Sequence, residues 1–341
     1  MRQLLAVHGR PTIVDVAEPP LRSNGYLVEA DWSLISSGTE TGLIQRSAAE
    51  QTHQPLGYSV VGRVVRAGAD AASLPEGTRL CCAGFQFSPH AERISVPAMM
   101  SVPLPPRVDP RAGAFTTLGT VAIHALRQGC VQLGERVVVI GLGVVGQLLS
   151  QIARAAGARV AVADLVTSRR ELALRMGAER ALDPTLPAPD AMAWSDGQGA
   201  DVVFLCTSGG AGLTDLACAI ARDRGTIVVV GTPPLDVPRD PFFQKELQLR
   251  IARAYGPGRY DPRYEEEGID YPFGHVRWTE GRNMAEFVRL LDRGLVDPLP
   301  LVTHHLPFTR GTEAYALASN PRSDALAILL DYESTNEGAR T

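Results

Sequence analysis

Three glycines, Gly141, Gly143 and Gly146, follow directly on a β-branched apolar run at 137–140, and an aspartate, Asp164, closes the next apolar run at 159–163. That order of residue types suits one chemical task, the holding of a dinucleotide. A short all-apolar run reads as a strand buried on both faces of a parallel sheet. The first glycine permits the tight turn after it, the second lets the backbone approach a pyrophosphate, and the third lets the following helix pack closely on the strand. That helix, expected over 144–156 with Gly157 as its stop, would turn the amides of Val144 and Val145 and the positive end of its dipole toward the phosphates. Asp164 lies about 20 residues beyond the glycines, where a carboxylate accepts both ribose hydroxyls. The same carboxylate would repel a 2′-phosphate, so NAD is expected rather than NADP. Arg169 and Arg170, just downstream, read either as phosphate contacts or as solvated residues of the next helix.

Two other groups could do chemistry. Cys206 and Thr207 end one apolar run, and Gly231 and Thr232 end another. Ligands of such sheets sit outside the carboxyl ends of the strands, so these four are expected to border the nicotinamide half of the cofactor. The segment 255–283 is dense in tyrosine, arginine, histidine and tryptophan. Arginine forks suit carboxylate or phosphate, and aromatic faces stack on sugar rings. Tyr271, His275, Arg277 and Trp278 are the substrate-binding candidates there, against the reading of a polar loop rim.

The elements that must position these residues follow from periodicity. Up to about residue 119 the chain is β-rich, with runs at 26–32, 59–66 and 78–83 between Gly, Pro and Asn turns, the pattern of a barrel-like fold. From about 120 strands at 137–140, 159–163, 201–206, 226–231 and 247–252 alternate with helical patterns at 144–156, 168–176 and 213–222, which predicts a doubly wound parallel sheet. After Tyr255 the pattern is irregular until a helix near 283–293 and a strand near 325–330. The fold class expected is α/β, with a cofactor domain at 120–255 inserted into a first domain made of 1–119 and 256–341. Residues 333–341 read as a frayed tail.

Composition limits the function classes. At 341 residues and 45% hydrophobic content the chain can build two cores, which excludes a disordered or fibrous protein. A formal net charge of −4 without a long charge run gives no electrostatic reason to expect nucleic acid or an anionic membrane. The N-terminal apolar stretch is too short for a signal peptide and no run of about 20 apolar residues exists, so a cytoplasmic protein is expected. The five cysteines, Cys81, Cys82, Cys130, Cys206 and Cys218, contain no CxxC pair, which argues against a disulfide framework or a cysteine metal site.

With these motifs in view, the chain resembles the medium-chain dehydrogenase/reductase superfamily over nearly its full length. Residues 56–64 resemble the family's GHE-xx-G-x-V strand, Ser37, Gly38, Thr39 and Glu40 its C-G-T-D turn, and His90, Ala91 and Glu92 its AE strand start. The resemblance implies a GroES-like catalytic domain, an inserted Rossmann domain and an active site in the cleft between them. It also shows what is missing. The zinc ligands of such enzymes would fall at Ser37, Tyr58 and near Thr117, and the loop of four cysteines for a structural zinc is absent. Hydroxyls bind Zn(II) poorly beside thiolate, imidazole or carboxylate, so no metal is expected. Residues 35–40, 115–119, 255–262 and 270–280 look like the zinc-free dehydrogenase half of bacterial bi-domain oxidoreductases, which often accompany carbohydrate or natural-product biosynthesis. The expectation is that half alone. The Ser-Gly-Thr-Glu turn is also similar to that of the bacteriochlorophyllide dehydrogenases.

Without zinc, side-chain donors must take or give the hydroxyl proton and stabilise charge on oxygen. Tyr58, in the place of a zinc-binding histidine, is the first candidate, or else fills the space of the lost metal. Thr39 matches the family's hydroxyl that bonds substrate oxygen. Glu40 is expected to orient the turn or reach a substrate hydroxyl. His90 has a side chain whose ordinary titration range suits proton exchange. His124, on an apolar helix, reads as a packing residue.

The expected function is a zinc-independent NAD(H)-dependent oxidoreductase interconverting a secondary alcohol and a ketone on a sugar-, cyclitol- or natural-product-like molecule. The alternatives are an NAD(P)H-dependent reductase of an activated C=C or C=N bond, or a catalytically silent NAD-binding regulatory protein. The run at 247–252 is expected at a sheet edge, where pairing would make a homodimer.

Overall fold

The computed structural model describes residues 1–320 and 323–332 of the chain. The expected tail at 333–341 lies outside the described residues. The chain divides into two compact units, one of Met1–Thr117, Pro257–Arg293 and Pro298–Thr341, the other of Leu118–Gly256 with Gly294–Asp297.

The first unit is built on a seven-stranded sheet. In spatial order its strands are Val302–Pro307, Ala327–Asp331, Gly25–Ile35, Ser59–Ala67, Arg79–Ala83 and Ser101–Pro103, with Arg93–Pro97 also paired to Gly25–Ile35. All pairs are antiparallel except Val302–Pro307 with Ala327–Asp331. A smaller sheet joins Arg10–Asp15, Arg2–Val7 and His53–Pro55. Cys81 and Cys82 are core residues of the strand Arg79–Ala83, consistent with small apolar side chains rather than ligands.

In this unit the segment 37–40 departs from the sequence expectation. Residues 37–40 form the first turn of a helix, Ser37–Glu50, and not a free turn. Its glycines and threonines carry little helix propensity, so tertiary contacts hold it. Leu43 packs inward, and the buried Ser47 hydroxyl donates to the carbonyls of Ala6 (3.0 Å) and Thr52 (2.6 Å). The N-cap residue, Ser36, makes no side-chain cap of its own. Glu40 reaches back instead and accepts the Ser36 N–H at 2.7 Å, as an acidic residue in a first turn can. The Ser36 hydroxyl is thereby left for other work.

The second unit is a six-stranded parallel sheet in the order Arg180–Ala181, Arg159–Ala163, Arg136–Ile140, Ala200–Leu205, Ala221–Val229 and Gln248–Ile251. Numbered by appearance, that is 3-2-1-4-5-6, the dinucleotide-binding order whose reversal lies beside the first strand. Val137, Val138 and Val139 are all fully buried, so both faces of that strand are covered. Each such valine contributes about 1.5–3 kcal/mol by leaving water. On one face Val138, Val203 and Ile227 share a cluster with Ala217 and Ile220 of the helix Leu213–Ile220. The two-residue strand Arg180–Ala181 and the short helices Pro187–Trp194 and Arg239–Lys245 were too brief to leave a periodic signal. Gln248–Ile251 is an outer strand of this sheet.

Candidate functional site

In the second unit the glycine turn and Asp164 are joined by a hydrogen bond from the Leu142 N–H. Gly141 has φ +94°, a left-handed backbone that a side chain would strain. A Cβ on Gly146 would lie 1.9 Å from the Gly141 carbonyl oxygen, so the helix Val144–Ala155 can reach the strand only through a glycine. Gly143, the N-cap of that helix, has open space where a Cβ would stand. Val144 and Val145 begin the helix and are partly exposed, whereas Leu142 beside them is buried. The site therefore presents backbone amides with room in front of them, the arrangement that receives a pyrophosphate.

Asp164 follows the strand Arg159–Ala163, and its carboxylate accepts the Leu142 N–H at 2.6 Å and the Val166 N–H at 2.8 Å. Each oxygen keeps a further lone pair for a ribose hydroxyl. Arg170 is occupied, donating to the Asp164 carbonyl at 2.5 Å and the Thr167 hydroxyl at 3.1 Å. Arg169 is partly exposed on the helix Thr167–Arg175, and its carbonyl accepts the Gln147 side-chain amide at 2.8 Å. Cys206 follows the strand Ala200–Leu205, and its backbone and that of Gly141 approach closely, since a Cβ on Gly141 would lie 3.0 Å from the Cys206 carbonyl. Cys206 is partly exposed, and burial pushes its thiol up to about 12. Thr207 and Gly231 are neighbours, a Cβ on Gly231 falling 2.2 Å from the Thr207 carbonyl oxygen. Thr232, next in the chain, is exposed. His124 is buried in the helix Thr116–Gly129, and burial, with Arg127 and Arg253 nearby, lowers it to about 4. It is a neutral packing residue.

The first unit holds a cluster of hydroxyls over a buried carboxylate. Tyr58 is 7% exposed, and its phenol donates to the Ser36 hydroxyl at 2.5 Å and lies 3.3 Å from that of Thr39. Burial pushes this phenol up to about 12, although the Ser36 and Thr39 hydroxyls pull the other way. Beneath it Glu40 and His90 are fully buried. One Glu40 oxygen accepts the Ser36 N–H, and the other lies 3.1 Å from His90 Nε2 and accepts the Tyr315 hydroxyl. His90 Nδ1 meets the Ser33 hydroxyl at 2.7 Å, and Ser33 in turn meets the Tyr332 hydroxyl at 3.0 Å. Burial, then the Glu40 charge, raises the Tyr315 phenol well above its ordinary value.

Gly57 makes this nesting possible. Its φ is +91°, and a Cβ there would lie 2.6 Å from the His90 backbone nitrogen and ring. Tyr58, Thr39, Glu40 and His90 are thus brought together, but in two layers. Thr39 is exposed and Tyr58 keeps 7% exposure. Glu40 and His90, at 0% exposure, cannot touch a ligand, which corrects the expectation of His90 as a proton exchanger and of Glu40 as a contact to a substrate hydroxyl. His90 also precedes the strand Arg93–Pro97 instead of heading it. Ser36, Ser33, Tyr315 and Tyr332 escaped the sequence reading. Tyr315 and Tyr332 lie 275 and 299 positions from their partners, and no local spacing announces them.

Ser37, Tyr58 and Thr117 stand where zinc ligands would be expected. The Thr117 hydroxyl donates to the Tyr58 carbonyl at 3.1 Å. Among the described residues no group of three His, Cys, Asp or Glu side chains could hold a metal ion. A borderline cation of this kind prefers thiolate, imidazole or carboxylate over neutral hydroxyls.

In the segment 257–282 the Tyr271 hydroxyl donates to Asp261, and its ring stacks on Tyr264 with centroids 5.7 Å apart. The buried Arg259 pairs with Glu265, and Arg282 with Asp270. Arg277 lies over the rings of Phe273 and Trp278, and His275 is exposed.

Residues 144–267 match the family model described as "Zinc-binding dehydrogenase". That stretch contains none of Ser37, Tyr58 and Thr117. The chain is 37% identical over 164 residues to 2-dehydro-3-deoxy-L-galactonate 5-dehydrogenase of Pseudoalteromonas atlantica, an alignment spanning 46% of this chain and 47% of that protein. It is 26% identical over 288 residues to L-galactonate-5-dehydrogenase of Escherichia coli, spanning 76% of this chain and 78% of the relative. Among solved structures, galactitol-1-phosphate dehydrogenase from Escherichia coli superposes with a TM-score of 0.81 at 20% identity, over 97% of this chain and all of that one (100%). The fold is the α/β fold of the medium-chain alcohol dehydrogenases, with a GroES-like and a Rossmann part. Among the described residues no helix is long and apolar enough to cross a membrane.

Proposed function

We propose that this chain, a relative of the medium-chain zinc-binding dehydrogenases, is an NAD(H)-dependent oxidoreductase. In this reading it interconverts a secondary alcohol and a ketone on a sugar-like substrate, with hydroxyl side chains in the place of zinc. The observation that carries the proposal is the presence in one chain of a carboxylate-closed nucleotide cradle and a Tyr58-headed hydroxyl cluster. The names of the two relatives, both galactonate dehydrogenases, support a polyhydroxylated substrate class.

The cradle residues Gly141, Gly143, Val144, Val145 and Gly146 would hold the pyrophosphate, with Asp164 on the ribose and Cys206, Thr207, Gly231 and Thr232 bordering the nicotinamide. Bound there, the nicotinamide would accept or supply the hydride. The chain's own part is the proton. With its phenol held near 12, Tyr58 is protonated at neutral pH and can donate to a ketone oxygen. Ser36 and Thr39 hydroxyls, which both donate and accept, fix its direction and can pass a proton outward through the exposed Thr39. Glu40 and His90 are positioning residues. They hold the Ser36 backbone so that its hydroxyl meets Tyr58.

The test is NADH formation by the full chain with a panel of aldonates and polyols, with and without a chelator, alongside metal analysis. Turnover that survives chelation, with zinc far below one equivalent, is the expected result. Stoichiometric zinc and activity lost on chelation would overturn the metal-free part, and NAD bound tightly without redox change on any substrate would favour a silent binder. Asp164→Ala should raise the KM for NAD by about tenfold to a hundredfold, the loss of charge-assisted hydrogen bonds, and narrow the preference over NADP. An unchanged ratio of kcat/KM for the two cofactors would remove Asp164 from that role. The proposal includes a homodimer paired through the outer strand Gln248–Ile251. Light scattering at micromolar concentration should give twice the chain mass, and a monomer mass counts against it.

A further inference from the structure

We propose that Arg277, seated on Phe273 and Trp278, reads an oxyanion, the carboxylate or phosphate of a small polyhydroxylated ligand. The guanidinium carbon of Arg277 lies 3.7 Å from the Trp278 ring centroid and 4.5 Å from that of Phe273. Two aromatic rings thus lie within cation–π distance of an exposed cation. Stacking of this kind uses the π surface of a guanidinium and leaves its N–H edge, whose fork geometry matches a carboxylate or phosphate. Among the described residues no carboxylate meets that edge, and Arg277 makes neither hydrogen bond nor ion pair. The other arginines close by are differently placed. Arg259 is neutralised by Glu265, and Arg282 by Asp270.

The segment beneath Arg277 is held by hydrogen bonds. Arg282 donates to the carbonyls of Val276 (2.5 Å) and Tyr271 (3.2 Å), tying the segment to the start of the helix Glu280–Asp292. The amides of His275 and Val276 both donate to the Pro272 carbonyl, at 2.9 and 3.0 Å. Tyr271 is anchored on Asp261. A pre-set cation on such a frame loses little freedom when it binds, which is what recognition of a small anion requires. The Phe273 ring, 58% exposed, is shared with Arg282, whose guanidinium carbon lies 5.1 Å from its centroid. Identification of this anion with the substrate rests on the oxidoreductase reading, but anion binding itself does not.

Trp278 supplies a readout that needs no turnover. The full chain would be titrated at constant ionic strength with gluconate, glucose 6-phosphate and, as the neutral control, glucitol, while tryptophan fluorescence is followed. A saturable change with gluconate or glucose 6-phosphate, absent with glucitol, is expected, and the one that saturates at lower concentration identifies the anion. Arg277→Gln should weaken it by about tenfold to a hundredfold, as loss of a charge-assisted bidentate contact does. Trp278→Phe should abolish the signal, because Trp32 and Trp194 stand elsewhere. A response that is equal in Arg277→Gln, or no saturable response to either anion, overturns the proposal. An intact anion response without dehydrogenase activity would sink only the proposed reaction, whereas turnover without the response would sink only the role of Arg277.

Discussion

Tyr58→Phe should lower kcat by about 10²–10⁴-fold, the usual contribution of a positioned general acid or base, while NAD binding and the unfolding midpoint change little. The phenylalanine keeps the ring that packs in the site and removes only the hydroxyl shared with Ser36 and Thr39. The pH dependence gives a second handle. Burial raises this phenol to about 12, so below that value it is protonated and competent to donate to a ketone. Reduction by the unmodified chain should therefore hold level across neutral pH. Alcohol oxidation needs the phenolate, whose fraction grows as pH approaches 12, so its rate should climb. Tyr58→Phe should flatten that climb. Full turnover in the variant, measured with saturating cofactor, would leave Tyr58 as a space-filling aromatic.

Glu40→Ala should destabilise the first unit by about 3–5 kcal/mol, the cost of breaking a buried, paired group. The carboxylate meets three groups, the Ser36 amide, the His90 ring and the Tyr315 hydroxyl, and its removal abandons the last two in a buried site. Each buried polar group so stranded costs about 1–3 kcal/mol. Denaturant melts check the size of the effect. Glu40→Gln keeps one acceptor oxygen and should recover part of the stability. If Glu40 positions Ser36 for Tyr58, kcat should fall in Glu40→Gln at temperatures where the variant is fully folded, with KM nearly unchanged. A folded Glu40→Gln with normal kcat would confine the residue to packing.

The fold of the second unit was largely legible in the sequence because its determinants are local. Gly141, Gly143 and Gly146 sit within one turn, and Asp164 ends the neighbouring strand, so spacing alone suggests the cradle. The hydroxyl cluster was legible only in part. Tyr58 and Thr39 were nameable from a resemblance, but the role of Ser36 depends on a cap that its side chain does not make, and pattern reading assumes that it does. The helix Ser37–Glu50 was hidden for a related reason. Its first residues have turn composition, and contacts of Glu40, Leu43 and Ser47 with distant segments overrule that preference. His90 misled because its residue type suggests titration while its complete burial makes it a strut.

The seven-stranded sheet also dictates an order of assembly during synthesis. Its strand Ala327–Asp331 lies between Gly25–Ile35 and Val302–Pro307, and Tyr315 and Tyr332 complete contacts 275 and 299 positions back. As the chain leaves the ribosome, every strand of the parallel sheet is available by residue 251, long before the first unit can close. The early-made segments must therefore wait with an unfilled sheet and a buried carboxylate lacking one of its donors, a period in which exposed edges invite mispairing. Mutations in Ala327–Asp331 or at Tyr315 and Tyr332 should thus reduce the yield of native protein out of proportion to their effect on finished molecules, which soluble yield compared with denaturant melts would check.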